Sequence, residues 1–312
     1  MSNDIRDIFF DGLFELAKKD SDIIFLAADQ GAFSLAKFKE ELPKQYYNTG
    51  ISEQSLISIC SGLALSKKKV FAYAIAPFIT SRCFEQIKVD ICVMNLPITL
   101  IGSGPGLCYS ADGPTHHSCE DIGIMSTLPN MNIYTLSDES SSNFTLLDIK
   151  LKKMPSYVRL DKGNYEELNR SSQNLSDGFN FIKKGRDYVI ITQGIYVKRA
   201  NEIAQEFEKK GYNFAVIDLV KINPNTLNKL VDNIKNFQLI FTIEDTFINS
   251  GIGSLILNYL YNNGVFEKKL FKIGPEQFIQ KYGNRNWIEK QVGLDAESIR
   301  RNIQERLLEF IS

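Results

Sequence analysis

The chain has two histidines and five cysteines among its 312 residues, and no two cysteines stand as a Cys-x-x-Cys pair. Ligand spacings of the structural zinc kind are therefore missing, and no metal ligand set is expected on this chain. An odd, scattered set of cysteines points to reduced thiols and a cytoplasmic location. Long apolar runs are missing too, since none approaches the roughly 20 residues that span a bilayer. The first residues, Met1-Ser-Asn-Asp-Ile-Arg-Asp7, are acidic and polar rather than basic and then apolar, which argues against a secretory signal. Excess charge of one sign is also lacking. With 36 basic and 37 acidic residues the net charge is -1 at pH 7, so nothing draws the chain to nucleic acid or an anionic membrane, and neither is expected as a partner. No repeat of the solenoid kind occurs.

What is present is a globular composition, 44% hydrophobic, at a length that suggests two domains. The central stretch runs from Asn48 to Ala64. Leu56, Ile57, Cys60, Leu63 and Ala64 recur at helical spacing, Gly50 permits a sharp turn before them, and Ser52 is placed to cap the first free N–H groups. Glu53 then falls in the first helical turn, where its simplest role is to answer the helix dipole.

The elements alternate on either side of this stretch. A helix around Ile5 to Leu16 precedes a buried strand, Asp22 to Ala28, and the loop Asp29 to Ser34 leaves that strand where open α/β sheets collect functional residues. Further strands are expected at Val70–Ile75, Ile98–Ile101, Met131–Leu136 and Tyr157–Leu160, with helices at Phe78–Val93 and Ser140–Lys152. Residues 161–185 turn polar, and a second α/β unit follows, from Tyr188 to a last helix at Ala296–Phe310. The fold class is α/β with two doubly wound domains, divided as 1–165, a linker at 166–185, and 186–312. Gly251 and Gly253 open a helix but lack the rest of any phosphate-binding motif, so close packing is the expected reason for them.

Three motifs in fixed order say more than any one of them: Gly50-Ile-Ser-Glu53-Gln54, then Phe78-Ile-Thr-Ser-Arg82-Cys-Phe-Glu85-Gln86-Ile87, then Asp112-Gly-Pro-Thr-His116-His117. Together they resemble the pyrimidine-binding domain of transketolases, and the resemblance continues through the family's smaller C-terminal domain. Deoxyxylulose phosphate synthases share the landmarks, and pyruvate dehydrogenase beta subunits share a looser version.

The resemblance implies thiamine diphosphate as cofactor. It makes Glu53 the carboxyl that hydrogen-bonds N1′ of the aminopyrimidine, a catalytic as well as cofactor-binding role, and Phe78 the aromatic stacked on that ring. Asp29 corresponds to an acidic loop residue near the cofactor. Ile75 and Ser81 stand where many transketolases have two further aromatics, so Ile75 lines an altered pocket. His116 is implied to contact sugar oxygens at the reacting carbon, Asp112 a hydroxyl of the aldose acceptor, and Arg159 the substrate phosphate. Read by themselves, the adjacent histidines suggest a metal site with Cys108, Asp112 or Cys119, but neighbours in sequence rarely converge on one ion. Arg159 by itself reads as a surface ion pair. Arg82, Glu85 and Gln86 read as interface or helix-fixing groups, and His117 as a bystander.

Two departures matter. Gly104 replaces a histidine used for the acceptor's phosphate, and Phe33 replaces the usual serine of the Asp29 loop. The Gly-Asp-Gly motif with which the family's additional N-terminal domain binds Mg²⁺ and the diphosphate occurs nowhere in the chain. The expectation is therefore the C-terminal subunit of a split, transketolase-like transferase. Its partner would be an N-terminal-type subunit, in an α2β2 assembly, that binds most of the diphosphate and Mg²⁺. The expected reaction moves a two-carbon ketol unit from a sugar donor to an aldehyde acceptor. Two alternatives stay open: a decarboxylating carboligase subunit like deoxyxylulose phosphate synthase, and a non-catalytic regulatory or scaffolding subunit.

Overall fold

A computed structural model describes residues 4–32, 34–170 and 174–311. The chain divides into two compact units, the first made of residues 1–105 and 124–167, the second of 106–123 and 168–312.

In the first unit, α1 (Ile5–Lys19) starts where the Asp4 carboxylate accepts from the Arg6 N–H at 2.9 Å. Its apolar stripe, Ile5, Phe9, Phe10, Leu13 and Ala17, is buried. Then come β1 (Ile23–Ala27), α2 (Leu35–Glu41), β2 (Tyr46–Asn48), α3 (Glu53–Leu65), β3 (Lys69–Ile75), α4 (Ala76–Ile79), α5 (Phe84–Gln86), β4 (Ile98–Ser103), α6 (Asp121–Ser126), β5 (Asn132–Thr135), α7 (Glu139–Lys152) and β6 (Ser156–Leu160). The strands lie in the order β5-β6-β4-β3-β1-β2, every neighbour parallel. On one face an aromatic cluster joins α1 to the sheet, with Phe10 4.9 Å from Tyr73 and Phe25 5.3 Å from Phe38, centroid to centroid.

The second unit contains β7 (Phe179–Lys183), β8 (Tyr188–Thr192), α8 (Tyr196–Glu208), β9 (Phe214–Leu219), β10 (Lys221–Ile222), α9 (Pro224–Ile234), β11 (Leu239–Ile243), α10 (Ile252–Asn262), β12 (Lys269–Ile273), α11 (Arg285–Gln291) and α12 (Ala296–Ile311). Its sheet runs β12-β11-β8-β9-β7, parallel except for β7 against β9. Both units are α/β layers with parallel sheets, as the alternation of elements requires.

Three expectations need correction. The helix expected from Phe78 to Val93 is broken into α4, a 3₁₀ turn at Ser81–Cys83, α5 and a π-helical stretch at Ile87–Val93. The cause is local: Thr80 and Ser81 donate their hydroxyls to the carbonyls of Ala76 and Pro77, at 2.6 and 2.8 Å, and compete with the helical ladder. Ser52 does not cap α3; its hydroxyl donates backward to the Thr49 carbonyl at 2.9 Å. The polar linker at 166–185 contains β7, an antiparallel edge strand, and Arg170, which forms a fully buried ion pair with Asp218 at 2.9 Å; its residues 171–173 lie outside the described set.

Gly251 and Gly253 have the packing role expected of them. The Gly253 N–H donates to Glu244 at 3.1 Å, and Thr242 and Thr246 donate to the same carboxylate at 3.1 and 2.9 Å. A Cβ on Gly251 would collide with Glu244 and one on Gly253 with Thr242 and Lys272. An internal carboxylate thus holds the amide that a phosphate would need. All five cysteines are buried, and burial pushes the Cys83 thiol up to about 12 and Cys92 to about 11. Among the described residues no helix is long and apolar enough to cross a membrane.

Burial raises Glu244 from 4.5 to about 7, against the hydrogen bonds it accepts. Between these two values the folded chain holds a proton that the unfolded chain has released. The stability it contributes is complete below the unfolded pKa and is lost as pH rises through the folded one. In urea unfolding, the wild type should lose roughly 1–3 kcal/mol relative to Glu244→Gln between about pH 5 and about pH 8. Parallel pH profiles for the two proteins would refute this assignment.

Candidate active site

Parallel pairing brings the carboxyl ends of the first unit's strands to one edge, and the expected site residues of that unit lie along it. Asp29 follows β1 and has a positive φ of 50°. Asn48 ends β2 and bridges: its Oδ1 accepts from the Asp29 N–H at 3.1 Å and the Gly50 N–H at 2.9 Å, while its Nδ2 donates to the Asp29 carboxylate at 3.1 Å. Gly50 makes the anticipated sharp turn at φ 72°. Two residues past Ile51 the chain enters α3 with Glu53 at its first position, 4% exposed.

Ile75 ends β3, half-buried, and provides the extended residue before α4, on which Phe78 sits. Arg82, in the 3₁₀ turn, joins the two assigned residues. Its Nη1 donates to Glu53 Oε2 at 2.8 Å, and its guanidinium carbon lies 4.0 Å from the centroid of the Phe78 ring. Its main-chain carbonyl accepts from Gln54 Nε2 at 3.2 Å. Arg82 is thus more than a helix-fixing group, a role that helical spacing alone did not reveal. The contact joins two elements 29 residues apart in sequence, so no local spacing signals it.

Arg159, one residue before the end of β6, is 1% exposed, which removes the surface ion-pair reading. Gly104 follows β4 at φ 72°, in the left-handed region where a histidine would be strained. Phe33 lies outside the described residues.

Asp112, His116 and His117 belong to the segment 106–123, which packs with the second unit. A Cβ on Gly106 would collide with Asp245 and one on Gly113 with Tyr282, and the Cys119 carbonyl accepts from the Phe247 N–H at 2.8 Å. Asp112 is exposed. His116 is half-buried, with its Nδ1 3.0 Å from the Thr115 hydroxyl. His117, expected to be a bystander, is the buried member of the pair. Desolvation holds its imidazole below the usual histidine range, partly offset by a backbone hydrogen bond at Ser110, and its Nε2 has no hydrogen-bond partner. Among the described residues no three His, Cys, Asp or Glu side chains gather as metal ligands.

Residues 2–167 match the family model described as the transketolase pyrimidine binding domain, and residues 178–299 the transketolase C-terminal domain. The chain belongs to the transketolase family. It is 31% identical to one of the subunits of the apulose-4-phosphate transketolase of Phocaeicola vulgatus over 94% of both chains. To a putative transketolase C-terminal section from Methanocaldococcus jannaschii it is 29% identical over 97% of this chain and 96% of the relative. A solved structure described as a split gene transketolase, an inactive beta4 tetramer, superposes with a TM-score of 0.85 at 24% identity over 97% of each chain, a likeness of fold. The transketolase-like subunit expected from the motifs is therefore supported by both comparisons of sequence, and the α/β architecture by all of them.

Replacing Asn48 by Ala should remove three hydrogen bonds around the turn before Glu53. Because Asn48 is exposed, the cost should be modest, about 0.5–1.5 kcal/mol in urea unfolding. Amide exchange at Gly50 should accelerate while that of the α3 interior stays slow. Equal exchange at Gly50 in both proteins would remove Asn48 as the tether.

Proposed function

We propose that this chain is the pyrimidine-binding subunit of a two-component, thiamine-diphosphate-dependent transketolase that moves a two-carbon ketol unit to an aldose acceptor. The observation that carries the reading is the simultaneous contact of Arg82 with Glu53 and Phe78. A single flat group touches both, so a buried carboxyl and an aromatic face address one space, as an aminopyrimidine requires. The residues present therefore fit the ring.

When bound, thiamine diphosphate supplies the carbanion chemistry. Glu53 would hold the proton exchanged with N1′, from a site with little access to water. Phe78 would carry the ring face, with Ile75 and Asp29 lining the pocket beside it. Asp112 and His116 would bind sugar oxygens, His116 by hydrogen bonds to developing negative charge. Arg159 would meet the acceptor's phosphate with a guanidinium that the fold has already desolvated. The domain assignment proposed is a pyrimidine-binding domain at 1–165 and a C-terminal domain whose edge strand is β7, so that it starts before residue 186, and no ligands for Mg²⁺ are assigned to this chain.

A partner chain with the Gly-Asp-Gly motif would hold the diphosphate and Mg²⁺. Two facts support such a partner. Relatives described as a subunit and a C-terminal section are matched over 94% and 96% of their own length, and α3 and the π-helical stretch, which pack together, leave Ile59, Val89 and Val93 exposed. Subunit names among the relatives agree with a heteromer, and a cytoplasmic address is proposed with it.

Calorimetry should show weak binding of thiamine diphosphate by the chain alone and tight, Mg²⁺-dependent binding once the partner is added. Micromolar binding without a partner would end the two-component reading. In the assembled enzyme, Glu53→Gln should collapse hydrogen–deuterium exchange of the thiazolium C2 proton while assembly persists, because an amide cannot cycle a proton with N1′. Unchanged exchange would favour the scaffolding alternative. Loss of CO₂ from pyruvate in preference to ketol transfer would favour the carboligase.

The acceptor should not be ribose 5-phosphate. Gly104 offers no side chain to a phosphate, and one missing charge-assisted contact weakens binding by about tenfold to a hundredfold. The relative named for apulose 4-phosphate, a ketose, makes a substituted ketose phosphate the first donor to assay, with a differently substituted aldose tested beside ribose 5-phosphate as the acceptor. Turnover of ribose 5-phosphate at the rate of the better acceptor would contradict this.

A further inference from the structure

We propose that Arg82 occupies the pyrimidine seat of the unloaded chain and has to leave it before the cofactor ring can enter. The inference rests on Glu53 and Phe78 being that seat. A guanidinium is planar, carries its charge over the plane, and combines N–H donors on its edge with faces that stack on aromatics. Arg82 uses both properties at once, with Nη1 2.8 Å from Glu53 and its central carbon 4.0 Å from the Phe78 centroid.

The two guests make opposite demands of the same carboxyl. Glu53 accepts from Arg82, whereas N1′ of a pyrimidine is itself an acceptor and needs a carboxyl that donates. A ring that stacks on Phe78 and reaches Glu53 Oε2 would need the place that the guanidinium holds. With its side chain 5% exposed, Glu53 needs a counter-charge when no ligand is present, and Arg82 provides it.

The means of release is also visible. The Arg82 side chain is 43% exposed, so its head has a path to water that the Glu53 carboxylate lacks. The Arg82 backbone is held separately, by Gln54 on α3, and the thiol of Cys83 donates to the Phe78 carbonyl at 3.2 Å. The head can therefore swing outward without moving the turn that bears it. Arg82 acts as a removable plug that keeps the seat shaped and neutralised, and it sets a threshold for cofactor entry.

The test uses the full chain and 4-amino-2,5-dimethylpyrimidine, which has the ring but no diphosphate and so needs neither partner nor Mg²⁺. Affinity is read by calorimetry, and ring protons by saturation-transfer NMR. Arg82→Gln should bind the pyrimidine about tenfold more tightly than the wild type, the equivalent of one displaced charge-assisted hydrogen bond. Arg82→Lys, which keeps the charge but not the plane, should fall between them. Adding Glu53→Ala or Phe78→Ala to Arg82→Gln should cancel the gain, since alanine offers N1′ neither a donor nor a stacking face.

If those second substitutions weaken binding but Arg82→Gln does not strengthen it, the plug is wrong and the seat stands. If neither Glu53→Ala nor Phe78→Ala alters affinity in either background, the seat itself is wrong and the proposal falls with it. Failure of Arg82→Gln to bind the pyrimidine at all would likewise overturn the plug.

Discussion

Parallel pairing in the first unit is the constraint from which its site follows. Each strand must return to the same end of the sheet before the next begins, so every carboxyl end and every following loop collects on one edge. Register then fixes depth along that edge. Ala27 pairs with Asn48 and Tyr73, Ile75 with Ser103, and Ser103 with Leu160, which levels Asp29, the Gly50 turn, the start of α4, Gly104 and Arg159 to within about two residues of each other. A slip of one position in any strand would turn its side chains to the opposite face. The buried aromatic cluster between α1 and the sheet opposes such a slip, because Phe25 and Tyr73 would leave it together.

The fold contains several buried charges and treats them differently. Asp218 and Arg170 form a pair with no exposure on either side, so neither can leave without stranding the other. Glu244 accepts from two threonine hydroxyls and from the backbone N–H groups of Gly253 and Ile252, none of them cationic, and burial raises its pKa to about 7. Glu53 is paired with a cation whose own side chain is 43% exposed. Of these three arrangements, the one at Glu53 can be opened from the solvent side by a competing ligand. The other two are answered inside the fold, by pairing at Asp218 and, at Glu244, by hydrogen bonds and by a proton that is held until pH rises through about 7.

The alternation of strands and helices was legible because long apolar runs and helical periodicity survive in the sequence, as in Ile23–Ala27 and in α3. Short or polar elements were not. β2 is three residues long, with two of them exposed, and the apolar alternation of β7 is set in Asn and Lys within a polar segment. The site was legible in its types and spacing: Glu53 at the first position of α3 and Phe78 after β3 needed only the motifs. The role of Arg82 depended on the approach of two elements 29 residues apart in sequence, which no local pattern encodes. The packing of segment 106–123 likewise depends on Asp245, Phe247 and Tyr282, far along the chain.

The break after α4 explains how such an approach is held. A continuous helix from Phe78 to Val93 would place both Phe78 and Arg82 by a single axis, so any adjustment of one would move the other. Hydroxyl bonds from Thr80 and Ser81 to the preceding turn stop that axis after one turn. Ala76, Pro77 and Ile79 are buried, and α4 packs on β4, which ties Phe78 to the sheet; the 3₁₀ turn packs on α3, which ties Arg82 to the helix of Glu53. The aromatic face is therefore referred mainly to the sheet and the cation mainly to α3, although α4 also touches α3 and the 3₁₀ turn. The carboxylate and its cation share one anchor and the ring has another, so displacing the Arg82 head leaves both walls of the seat where they were.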